Sequence, residues 1–149
     1  MNAFVTAGAG FLLAVLWFDL MFDVQVLRRR DPVLPEEVLA SIAGYYRRVT
    51  REARRMNKLV AVVMAATLAA IVVQIAHGDD PRWVGWASLG LVAPAIAIAA
   101  THTFAAGARL GARRDPPEAQ SRIARSICRD HLICLPLVAG VLTIQLWFG

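Results

Sequence analysis

The sequence contains no glycine-rich phosphate loop and no GxGxxG motif behind a strand, which excludes the common nucleotide-binding folds. Positive charge ahead of the first apolar run is also missing. Only Met1 and Asn2 precede it, so this run is expected to stay as a membrane span and not to be cleaved as a signal peptide. Cysteine is scarce. Cys128 and Cys134 stand six apart, about 120° round a helix, and lie among arginines on a side where thiols stay reduced, so no disulfide framework is expected. Lysine is nearly absent, with Lys58 set against fifteen arginines, a bias that fits a GC-rich bacterial source.

Apolar sequence is what the chain has in excess: 58% of its residues are hydrophobic, above the level of an ordinary soluble domain. A bilayer core of about 30 Å needs roughly 20 apolar residues per helix. Four stretches qualify, at about residues 3–26, 59–77, 84–106 and 132–148. The expected fold is an all-α integral membrane protein, a four-transmembrane-helix bundle forming one domain over residues 1–149.

Charge sets the orientation. Arg28–Arg30, Arg47, Arg48, Arg51, Arg54, Arg55 and Lys58 lie between spans one and two, and six arginines lie between spans three and four. Arg82 is the one basic residue of the other connection. The positive-inside rule then puts both basic connections in the cytoplasm and both termini outside. The basic balance is explained by topology and anionic lipid, and gives no reason to expect nucleic-acid binding.

The first basic connection should itself be helical. Pro35-Glu36-Glu37 is a helix start, with acids at the positive end of the dipole. Val38, Leu39, Ile42, Tyr45, Tyr46, Val49 and Met56 follow at helical spacing on one face, with arginines opposite. This reads as an amphipathic cytoplasmic helix before span two, lying on the membrane or bordering a site for an anionic head group through Arg54 and Arg55. Pro116-Pro117-Glu118 likewise starts the fourth helix well inside the cytosol.

Against this apolar background a few polar residues stand out. Asp19 and Asp23, four apart, put two carboxylates on one face of span one. His102 lies in span three, His131 at the start of span four and Asn57 at the start of span two, all toward the cytoplasmic third. Charge at such depth costs about 2.5–3.5 kcal/mol on insertion scales, so these groups should face inward and find partners. Depth matching pairs Asp19 with His102, and Asp23 with His131, Asn57 or Arg54/Arg55.

Two histidines and a carboxylate form the ligand set of several metal sites. The leading expectation is a small bacterial inner-membrane protein with a metal- or cofactor-binding pocket, acting as an enzyme on a lipophilic substrate. His102, His131 and Asp19 would ligate a divalent metal, or the two histidines a haem. Asp19, Asp23 and Asn57 would serve catalysis, and Arg54 and Arg55 a substrate head group. Three histidines are too few for the clustered histidine boxes of membrane di-iron desaturases and hydroxylases. The rival expectations are a proton-coupled small-molecule carrier, working as a homo-oligomer, and an accessory subunit whose arginine-faced helix docks a partner.

Overall fold

The computed structural model describes residues 2–78 and 81–149, with Arg54 described by its backbone alone. The short stretch HGDDPRW between the second and third apolar runs, which reads as a turn, therefore lies partly outside the described residues. The chain forms α1 (Asn2–Asp23), continued by a 3-10 turn Val24–Arg28; α2 (Glu36–Arg47), continued by a π turn Arg48–Glu52; and α3 (Arg54–His77). Next come α4 (Arg82–Ile98), a π turn Ala99–Thr103, α5 (Phe104–Ala112) and α6 (Pro117–Phe148). Among the described residues there is no strand, and four helical segments are long and apolar enough to cross a membrane: Asn2–Arg28, Arg55–His77, Arg82–Ala112 and Pro117–Phe148.

The helix α6 organises the bundle, packing against α1 and α4 along its length and against α5 and α2 near its start. Its 32 residues span about 48 Å at ~1.5 Å per residue, well beyond a bilayer core of about 30 Å. The surplus falls at its N-terminal end, where two apolar cores become distinct. One, inside the bundle, is built from Val5, Ile71, Val92 and Val141 among others. The other, beyond it, joins Val38, Leu39 and Ile42 of α2 to Leu110 of α5 and Ala124 and Ile127 of α6.

That second core changes the reading of α2. Its apolar stripe is present as the spacing predicts, but Val38, Leu39, Ile42, Ala43 and Tyr46 are buried against protein and not laid on lipid. The stripe stops short of the expected Met56, which is exposed. The helix breaks at the π turn and at Ala53. Close approach to α5 depends on two glycines one turn apart. A Cβ at Gly107 would stand 2.9 Å from the Tyr46 ring, and one at Gly111 would stand 2.7 Å from the backbone N of Arg47. Small residues at this spacing let two helix backbones meet. Thus α2 is a cap clamped over the end of the bundle.

Pro94 lies inside α4 and withholds a backbone N–H from the helical ladder. The helix continues past it and widens into the π turn Ala99–Thr103. This turn carries His102 and sets its rotation about the helix axis. At the opposite end of the molecule Trp83, Trp86 and Trp147 are exposed, as an interfacial aromatic belt requires. Each of the four spans there contributes to one polar network: Gln74 donates to Asn2 at 2.9 Å, and Gln145 donates to Gln74 at 3.0 Å and to Ser88 at 2.9 Å.

Candidate functional site

Helical spacing brings Asp19 and Asp23 to the same face of α1, and that face meets the start of α6 and the underside of α2. Asp23 is completely buried. His131 Nδ1 lies 2.6 Å from Asp23 Oδ2, and the Tyr46 hydroxyl donates to both carboxylate oxygens at 3.0 and 2.9 Å. Asp19 accepts from the Tyr45 hydroxyl at 2.6 Å, and its other oxygen lies 3.7 Å from His131 Nε2. The imidazole is thus held between two carboxylates. Tyr45 stacks on Phe22 of α1 at 4.3 Å and meets Tyr46 edge-on at 5.3 Å. Gln25 donates to Ser41 at 3.2 Å and adds a polar tie between α1 and α2.

Solvation explains why so many donors gather here. A carboxylate removed from water must be matched by hydrogen bonds, and α2 supplies two hydroxyls that a purely apolar cap would lack. Burial, then the neighbouring Asp19 carboxylate, pushes the Tyr45 hydroxyl well above the ordinary phenol range. Burial, then Asp23, does the same for Tyr46. Both tyrosines therefore stay protonated and act as donors.

A second carboxylate–imidazole pair stands beside the first. His102 Nδ1 lies 2.5 Å from Asp130 Oδ2, which also accepts from the Thr103 hydroxyl at 3.1 Å. Asp130 is buried, whereas the His102 side chain is 48% exposed. The expected Asp19–His102 pairing is replaced by Asp19 with Tyr45, and His102 takes Asp130. The two histidines go to different carboxylates, and among the described residues no group of three or more His, Cys, Asp or Glu side chains is disposed to hold a metal ion. Among the described residues the structure does not gather His102, His131 and Asp19 into one group, the two imidazoles being paired through Nδ1 with different aspartates.

Asn57 lines a cavity of about 380 Å³ with Asp19, Tyr45, Phe104 and His131, between the cap and the bundle. The cavity wall is overwhelmingly apolar. Arg55 is exposed and outside that lining. The side chain of Arg54 lies outside the described residues. Tyr45, Tyr46 and Thr103 also belong to the site, although the sequence marks the tyrosines only as part of an apolar stripe, and Asp130 joins them as the partner of His102. A usable signal existed: a Tyr-Tyr pair on the apolar face of a helix needs acceptors for its hydroxyls, and aspartates at the same depth are the obvious ones. Asp130 had a similar claim, being adjacent to His131 on a helix reaching the membrane.

The fold and site define a four-span membrane bundle braced by internal acid–imidazole pairs and closed at one end by a helical cap. The chain belongs to the SHR3 chaperone family: the family model, described as "ER membrane protein SH3", matches residues 1–148. No curated protein and no solved structure matches. The family corrects two expectations. A bacterial inner-membrane location gives way to the ER membrane. A metal- or cofactor-dependent enzyme on a lipophilic substrate, and equally a proton-coupled carrier, give way to a chaperone. The polar pocket suggested chemistry because intramembrane acids so often perform it; here their donors come from the protein's own cap.

Proposed function

We propose that the chain is an ER membrane chaperone that acts on other multi-span membrane proteins, its bundle and cap forming one membrane domain. The observation that carries this reading is the family match over residues 1–148. Physical considerations support it. An unassembled membrane protein exposes polar groups to lipid, where they lack partners. Here His102, with Thr101 beside it, is a polar group presented on an otherwise apolar helix exterior, backed by Asp130. Such a group can hydrogen-bond a client helix and release it once the client finds its own partners.

In this reading Asp19, Asp23 and His131 brace the cap. Asn57 and the adjoining cavity give the cap–bundle junction room to shift, and the exposed Arg55 faces the anionic cytosolic leaflet. Both arginine-rich connections are cytosolic and both termini lumenal. Removing the protein from its cells is expected to leave a subset of multi-span proteins aggregated in the ER, seen on native gels of ER fractions. Reintroduction of the wild-type chain should restore them. Unchanged assembly of every multi-span protein in the depleted cells would refute the proposal.

A further inference from the structure

The arginines at the end of span one do not all disperse into solvent. After the 3-10 turn the chain crosses the start of α6, and two contacts hold it there. Leu34 N–H donates to Ser121 at 2.9 Å, and the Arg125 guanidinium bonds the Asp31 carbonyl. The crossing leaves a groove of about 540 Å³ lined by Arg29, Arg30, Arg125 and Arg129, with Leu27 and Leu132 among its apolar walls. Both leucines are largely exposed.

Charge is unbalanced in this groove. Among the described residues no carboxylate lines it. Arg29 has Glu37 at 3.8 Å, but both side chains are exposed and the pair is weak. Among the described residues Arg30 and Arg129 have no acidic partner, and the buried Arg125 Nε finds no acceptor. The guanidinium fork matches phosphate oxygens two at a time. Four such cations above two exposed leucines, at the cytosolic boundary of the membrane, form a surface with a charged upper half and an oily lower half.

We propose that this groove binds one anionic glycerophospholipid, its phosphate-bearing head held by Arg29, Arg30, Arg125 and Arg129 and an acyl chain lying along Leu27 and Leu132. The bound lipid pins the crossing segment to α6, and so steadies the cap. This inference is independent of the chaperone reading.

The test uses the purified full-length protein in detergent, offered equal amounts of phosphatidylinositol and phosphatidylcholine and examined by native mass spectrometry. One phosphatidylinositol should be retained in preference to phosphatidylcholine. Arg125→Gln and Arg129→Gln should each lower retention about fivefold, the effect of one interfacial arginine on anionic lipid. Arg30→Gln, on the exposed crossing segment, should lower it similarly and covers the case in which an α6 variant fails to fold. Arg122→Gln, on the same helix but off the groove, should leave retention unchanged. Excess inorganic phosphate should not displace the lipid, because it lacks the acyl chain. Equal retention of both lipids, an equal loss in Arg122→Gln, or displacement by free phosphate would each overturn the assignment.

Discussion

The molecule contains the same chemical pair twice, with opposite surroundings. Asp23 and His131 are both sealed, with side-chain exposures of 0% and 7%, and two tyrosines close over them. Asp130 is equally sealed at 7%, yet its histidine, His102, stands 48% exposed. Both pairs draw on neighbouring residues of one helix. Asp130 and His131 are consecutive on α6, and a 100° step sends the acid to one side and the imidazole to the other. The first pair ties α1, α6 and α2 together. The second ties α6 to the π turn and leaves an imidazole at the bundle's surface. An identical interaction can be a brace or a presented group, and burial decides which.

The comparison breaks most severely at the buried pair. Asp23→Ala removes the acceptor of both Tyr46 and His131, and should cost about 3–5 kcal/mol, the range for breaking a buried pair. Thermal unfolding in detergent, with tryptophan fluorescence as the reporter, measures it. A loss under ~1 kcal/mol would place the pair among weak surface interactions. Tyr46→Phe comes next, at about 1–3 kcal/mol, because Asp23 keeps His131 but loses a hydroxyl in a site closed to water.

The tyrosines also allow a direct titration, since the chain's only two are Tyr45 and Tyr46. Both pKa values are raised by burial and then by the aspartates. Their contribution to stability is therefore fully present below the unfolded value near 10, and is lost as pH rises through the folded value. Tyrosinate absorbance should be absent from the folded protein at about pH 10–11 and appear only on alkaline unfolding. Ionisation at the ordinary phenol pH in folded protein would show that the cap is not seated. The smallest effect belongs to the half-open pair. His102→Ala should cost about 1 kcal/mol, since the sealed Asp130 keeps Thr103 and water can enter where the half-exposed imidazole stood. Under the chaperone reading the same variant should still lose client assembly, so stability and function separate at His102 and do not at Asp23.

Much of the architecture was legible from the chain. Runs of apolar sequence marked four spans, and Pro-Glu-Glu and Pro-Pro-Glu marked the starts of α2 and α6, because helix geometry depends on local composition. The two aspartates could be placed on one face of α1 for the same reason. Their partners were harder to see. Depth matching treats each helix as a cylinder of unknown rotation, and the π turn at Ala99–Thr103 rotates His102 away from α1 and toward Asp130. Tyr45 and Tyr46 were hidden by their own pattern: at helical spacing among Val38, Leu39 and Ile42 they read as apolar packing, which their rings are, while their hydroxyls serve the site.

The sequence by itself determined that the chain is helical, that four of its segments belong in a membrane and that one end is basic, since these follow from the hydration cost of apolar and charged groups taken one segment at a time. Tertiary structure alone decided that α2 is a cap and not a raft on the lipid. An apolar helical stripe is equally content against lipid or protein until Gly107 and Gly111 let a second backbone come within contact. It alone decided, too, which histidine is walled in and which is offered outward, because burial is a property of the neighbours and not of the residue.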